Sequence, residues 1–182
     1  MKTKFFSIVL ICLISATVFG QKLITKNGTI EINDKTPLFT IEAKNNMVAA
    51  VLDEQTGDLI VSTLVKSFKF REALVEEHFN ENYMETSKFP KASFKGKITN
   101  IKSIDFKKDG EYSAVIEGEL TIHGTTNKIK ENAKFIIKGG KVTGKCQLHV
   151  SLAAYKVKIE ESYKDRISDD VLLTINFDFL PQ

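Results

Sequence analysis

FKFREALVEEHFNENYMETSKFPKASFKG, residues 68–96, is the stretch on which the reading of this chain turns. Phe68 and Phe70 alternate with Lys69, as in a strand entering a core, and then Arg71 to Asn80 carries strong helix formers. Leu74, Val75, His78 and Phe79 share one face of that helix, with Leu74 and Phe79 as its expected anchors. The Phe89-Pro90 pair forces extended backbone, after which Ala92, Phe94, Gly96 and Ile98 resume an alternation of period two. The segment therefore reads as strand, short helical lid, strand.

Outward from it, the chain is a succession of alternating runs. Before it come Thr29–Asn33, Leu38–Ala43, Met47–Leu52 and Asp58–Val65. Polar stretches suited to turns separate these runs: Asn33-Asp34-Lys35, Lys44-Asn45-Asn46 and Asp53-Glu54-Gln55-Thr56-Gly57. After it, Tyr112, Ala114, Ile116, Gly118, Leu120 and Ile122 lie on one face of a long strand, with Glu111, Ser113, Glu117, Glu119, Thr121 and His123 on the other. Ile129, Ala133, Phe135 and Ile137 then oppose a row of lysines at 128, 130, 134 and 138. Gly139-Gly140 makes a hairpin turn. Val142, Gly144, Cys146, Leu148, Val150 and Leu152 form the next inner face, and Val171, Leu173, Ile175, Phe177 and Phe179 the last.

At least eight antiparallel strands with one apolar face each are most economically closed into a barrel, because closure removes exposed edges. A two-sheet sandwich is the rival, but Glu111 to Ile122 extends over roughly 40 Å at ~3.3 Å per residue, long for a sandwich strand. An outer-membrane barrel is excluded by its own polarity, since an outward face carrying Lys128, Lys130, Lys134 and Lys138 cannot meet lipid. The expected fold class is all-β with one short helix, an antiparallel lipocalin-like barrel of eight or more strands.

The first twenty residues are of a different kind. Lys2 and Lys4 precede an apolar run from Phe5 to Phe19, and the segment ends Val18-Phe19-Gly20 before Gln21. It reads as a cleaved signal peptide, too short to span a bilayer, which needs ~20 apolar residues. Cys12 lies inside the apolar run behind Ile11, so it does not mark a lipid anchor. Residues 21–182 then form the expected single domain, periplasmic or secreted. Without Lys2 and Lys4 the 26 basic residues fall to 24 against 23 acidic ones, scattered rather than clustered, which gives no reason to expect a nucleic-acid partner. Cys146 is left without a second cysteine, so no intramolecular disulfide is available, and its alternation with Leu148 and Val150 reads as a buried thiol acting as a small hydrophobe.

Catalytic signals are lacking. His78, His123 and His149 are not at metal-ligand spacing, and no nucleophile, zinc or phosphate-loop motif occurs. Glu76, Glu77, Glu81 and Glu85 read as a solvated helix face rather than a cation site. Neither a metal nor a cofactor is expected, and no membrane span; the oligomeric state is left open. The barrel interior itself is ambiguous, since small barrels are either filled by side chains or hold one small ligand. Small inner residues, among them Ala114, Gly118, Ala133, Gly144 and Cys146, leave room, and those of the chain's thirteen phenylalanines that lie beyond the leader supply apolar walls.

The residues also carry a resemblance. Phe68-Lys-Phe70, the run Leu74 to Glu85 and the run Phe89 to Gly96 resemble the YceI-like family of small exported bacterial proteins. Gly118-Glu119-Leu120-Thr121-Ile122-His123-Gly124-Thr125-Thr126 resembles that family's G-x-L-T-x-x-G-x-[TS] segment, in the right order and spacing. Likeness continues weakly through Ser151–Tyr155 and Ile167–Ile175. What the resemblance implies is a lipocalin-like barrel holding a long apolar lipid, a polyisoprenoid, isoprenoid quinone or fatty-acyl compound, with no catalytic residues to carry over. It decides for a cavity over a packed core. The expected ligand-binding residues are Phe70, Phe94, Ala114, Gly118, Leu120, Ile122, Phe135, Leu148, Ile175 and Phe177. The alternatives are an enzyme acting on apolar substrates and a structural envelope protein with a packed barrel core.

Overall fold

The computed structural model describes residues 22–182, so the leader and its expected cleavage point lie outside the described residues. Nine strands follow in order: β1 Lys22–Lys35, β2 Thr40–Asp53, β3 Asp58–Leu64, β4 Lys69–Phe70, β5 Lys91–Ile98, β6 Gly110–Ile122, β7 Thr125–Lys138, β8 Lys141–Ser151 and β9 Asp170–Pro181. One short helix, α1 Ala73–His78, continues into a wider turn at Phe79–Tyr83. Pairing runs β1-β9-β8-β7-β6-β5-β3-β2 and returns from β2 to β1, all antiparallel, while the two-residue β4 hangs on β2 opposite Ala43 and Lys44. The result is a closed eight-stranded barrel, in which each main strand has a hydrogen-bonded neighbour on both sides.

Two connections are as tight as a hairpin allows. His123-Gly124 and Gly139-Gly140 each place two consecutive residues at positive φ, the twist that matches the strands they join. His123 is the unusual occupant of such a position. It is held there by Glu85 Oε2, 3.0 Å from its Nε2, and by the Phe89 ring, whose centroid is 4.5 Å away.

The first third of the chain departs from the alternating runs read in the sequence. β1 begins at Lys22 rather than Thr29, and the expected turn at 33–35 falls later, at Thr36–Phe39. The expected turn at Lys44-Asn45-Asn46 does not exist, because β2 continues through it with a bulge. Asn45 makes this possible. Its side chain is 0% exposed, yet Nδ2 donates to Thr63 Oγ1 (2.8 Å) and Leu64 O (3.2 Å), while Oδ1 accepts from Met47 N–H (2.8 Å). A residue type that usually marks a turn here satisfies a disrupted ladder from within the barrel.

The two ends of the barrel differ. At one, the connections are 54–57, 99–109 and 139–140, and Ile98, Ile104 and Phe106 pack there with Phe135, Ile137, Val142 and Phe179. The Phe106, Phe177 and Phe179 rings lie within 5.9 to 6.3 Å of an aromatic neighbour in this floor. At the other end stand the long connections 65–90 and 152–169.

Ala114 and Gly118, expected on the ligand wall, are elsewhere. Ala114 lies below the last β5–β6 pair, Ile98↔Ile116, and is buried to 1% in the floor cluster that Ile104 and Phe106 complete. Gly118 faces Gly96 across the β5–β6 ladder, and the Phe94 ring lies over the pair: a Cβ on Gly118 would come within 2.8 Å of Phe94 Cζ and closer still to Gly96 Cα. Its missing side chain makes room for Phe94, not for a ligand. We expect Gly118→Ala to cost ~1–3 kcal/mol of stability, as overpacking against backbone does. Gly144→Ala, whose Cβ would have Phe135 and Phe179 ring atoms as its nearest neighbours at 3.2 Å or more, should cost less. Thermal unfolding of the two variants tests this, and equal midpoints would refute it.

Candidate ligand-binding site

Above the floor the barrel encloses a cavity of about 720 Å³, within the ~300–1,000 Å³ typical of ligand sites. Phe70, Phe94, Leu120, Ile122, Phe135, Leu148, Ile175 and Phe177 all stand on its wall; Ala114 and Gly118 do not. The eight come from β4, β5, β6, β7, β8 and β9, so the surface is assembled by barrel closure rather than by any one segment. Val61, Val65 and Met84 extend the same apolar lining. Gly28 contributes by omission: a Cβ there would strike the Phe177 ring, which lies against it.

Phe79, from the turn after α1, packs on Phe70 (4.8 Å between ring centroids) and Phe68 (5.9 Å), and Val75 and His78 line the cavity beside it. Leu74, expected as an anchor, is instead 62% exposed. The helix is only six residues long, and at about 100° per residue Leu74 sits at the far edge of the Val75–His78–Phe79 face. The β4–β2 pairing sets α1 beside the start of β2, and the Arg166 guanidinium stacks 4.9 Å over the Phe39 ring. Helix, 36–39 turn and 157–167 connection thus surround one mouth.

Polar groups in this lining were missed by reading alternation alone. Asp34 is buried at the mouth with both carboxylate oxygens 3.2 Å from Ser168 N–H, which donates to them, and burial pushes its pKa up. Burial, with the charge of Glu160 second, likewise raises Tyr83. Glu131 lies on the inward register of β7 between Ile129 and Ala133, where the parity of its position signalled it. Cys146 is a half-buried part of the wall rather than of the packed core, with its thiol pushed up to about 11 by burial, then by the charge of Glu131. Such a thiol stays protonated and unreactive at neutral pH.

Of the acidic helix residues, Glu76 binds Lys69 (2.5 Å) and the Phe70 N–H, and Glu85 binds Lys88 and His123. Hydrogen bonds to lysine are the first cause holding both carboxyls below their usual range. Among the described residues no group of three or more His, Cys, Asp or Glu is placed to hold a metal ion, and no helix is long and apolar enough to cross a membrane.

A closed antiparallel barrel with one apolar, open-ended chamber is the architecture of the lipocalin-like barrels. The chain belongs to the YceI-like domain family, which matches residues 22–179. Among solved structures it is similar to a polyisoprenoid binding domain from Saccharophagus degradans, described as implicated in plant cell wall breakdown. That likeness has a TM-score of 0.78 at 10% identity and covers 90% of this chain and 100% of that one. It is also similar to BcnA of Burkholderia cenocepacia, with a TM-score of 0.70 at 15% identity over 84% of this chain and 96% of that one. The YceI protein of Campylobacter jejuni follows at 0.56 and 17%, over 77% and 84%. No curated protein matches the chain. At these identities the structural likenesses speak to the fold.

Asp34 yields a pH prediction. Because its folded-state pKa is raised, the native protein favours the protonated carboxyl; that contribution is present at low pH and lost as pH rises through the raised value. Asp34→Asn keeps an oxygen for Ser168 N–H and removes the charge. Its thermal midpoint should equal or exceed wild type at pH 7, with the difference shrinking as pH falls below the ordinary carboxylate range. A variant less stable than wild type at pH 7 would show that the charge itself is used.

Proposed function

We propose that this protein binds one long apolar molecule inside the barrel and sequesters or carries it, the ligand being a polyisoprenoid, an isoprenoid quinone or a fatty-acyl compound. The observation that carries the reading is the cavity of about 720 Å³ walled by phenylalanine and aliphatic side chains above a packed floor. Apolar burial supplies the drive, about 0.8 kcal/mol per methylene before the cost of ordering the chain. The polyisoprenoid-binding domain of like fold supports the ligand class.

Binding is favoured over catalysis. The wall offers a thiol that burial and the charge of Glu131 hold protonated rather than activate, Asp34 bonded only to a backbone N–H, and histidines tied elsewhere or set at the mouth. The Lys2/Lys4 start, the short apolar run and the Val18-Phe19-Gly20 end support export, so that the protein works in the periplasm or outside the cell.

Mass spectrometry of an organic extract of the purified protein should find a stoichiometric apolar compound. Ala133→Phe, at an inward position that does line the cavity, should weaken its uptake about tenfold or more while the β-sheet circular dichroism signal persists. Undiminished uptake in the folded variant would refute a ligand seated beside this wall. N-terminal analysis of the exported form should begin near Gln21; recovery of Met1 in a membrane fraction would overturn the export reading.

A further inference from the structure

β7 pairs with β6 along nearly its whole length, from Thr125↔Ile122 to Ile137↔Gly110, but with β8 only from Ala133↔Cys146 to Lys138↔Lys141. Beyond Ala133 each strand keeps its other neighbour, β8 still pairing with β9 as far as Ser151↔Asp170, and no ladder joins the two. The wall is parted there. At the lower edge the Cys146 thiol donates to Asn132 O at 3.4 Å, where the ladder stops. At the upper edge Asn127 Nδ2 donates to Ala154 O at 2.8 Å, and buried Tyr155 packs in one cluster with Leu148, Val150 and Ile129.

Glu131 stands between those edges. It faces Ile116 across the β6 ladder and lines the cavity at mid-depth, half-buried. Two neighbouring lysines are engaged elsewhere, since Lys130 pairs with Glu117 at 2.6 Å and Lys134 with Glu111 at 2.8 Å on the outward register. Asp34, by contrast, has Ser168 N–H, and Glu72 and Glu42 lie at the mouth beside Arg71. Among the described residues Glu131 is thus an acceptor-only group with no hydrogen bond or ion pair of its own, set into a largely apolar wall beside an opening. Covering it with a hydrocarbon chain would remove water from a carboxylate and return nothing. A ligand carrying a hydrogen-bond donor at that level would replace the water with a charge-assisted bond.

We propose that Glu131, at the parting between β7 and β8, binds the polar end of the ligand, and that this end is a hydrogen-bond donor: a hydroxyl, an ammonium or an amide N–H rather than a phosphate or carboxylate. The assignment rests on the cavity being the lipid site and adds its headgroup class. An anionic head would meet like charge at Glu131, while the cations of the lining stand away from it, Arg71 and Arg166 at the mouth and Lys145 exposed on the outward register of β8.

The test uses Nile red as an apolar reporter in the cavity, displaced by one isoprenoid chain presented as the alcohol, the primary amine, the parent hydrocarbon and the phosphate. Wild-type protein should bind the alcohol and amine about tenfold or more tightly than the hydrocarbon or phosphate, the scale of one charged hydrogen bond. Glu131→Leu should abolish that preference and bind the hydrocarbon as well as wild type or better. Glu131→Gln, nearly the same shape, should keep the alcohol and lose most of the advantage of the amine, which gives a decision even if the leucine variant fails to fold. An identical ranking in wild type and both folded variants overturns the headgroup assignment and leaves the cavity reading standing. If no member of the series displaces the reporter, both fall.

Discussion

The ring of backbone hydrogen bonds closes because β1 and β2 pair from Lys22↔Asp53 to Lys35↔Thr40 in spite of two irregularities, one in each strand, that offset one another around Gly28. Were only one present, the register beyond it would slip by a residue and every apolar side chain of one strand would turn to solvent. The irregularities give the barrel two of its internal features. Gly28 lets the Phe177 ring lie against backbone, and the break beside Asn45 leaves groups that the Asn45 side chain satisfies by tying β2 to Thr63 and Leu64 at the end of β3.

Closure also sorts the interior by depth. Where the connections are mostly short the barrel fills with aromatic and branched side chains from 99–109 and the strand ends, and where they are long it stays open. A phenylalanine thus belongs to the floor, to the cavity wall or, like Phe135, to their junction according to its height along the strand. Phe106, with Phe135 6.1 Å away, belongs to the floor, whereas Phe70, nearer the mouth, is a wall backed by Phe79.

Polar groups enter this apolar interior by three routes with different energetic logic. Asn45 is fully bonded and contributes to specifying the bulge. Asp34 has only a backbone donor, and its raised pKa records the desolvation that this leaves uncompensated. Glu131 sits where the wall parts. The outward lysines, by contrast, form exposed pairs such as Lys44–Glu31 and Lys134–Glu111, which contribute little to stability.

Local pattern was enough to read the class of barrel, the helical interruption between Phe70 and Lys91, and the inward face of β5 to β9, because alternation is a local property written in each strand. It carried eight of the ten expected wall residues to the cavity. Polar runs that look like turns misled at Lys44-Asn45-Asn46, since a buried Asn with three bonds and a surface Asn in a turn have the same letter. Glu131 was legible in parity and overlooked because a charge at an inward position contradicts the pattern it interrupts. Height and neighbourhood came from the folded chain: Ala114 falls under the plug from 99–109, Gly118 holds the Phe94 ring against Gly96, Leu74 turns outward, and β7 and β8 part above Ala133. Alternation tells a side chain which face to take. Register between distant strands, and the connection that covers each end of the barrel, set what it meets there, and these depend on contacts between residues far apart in the chain.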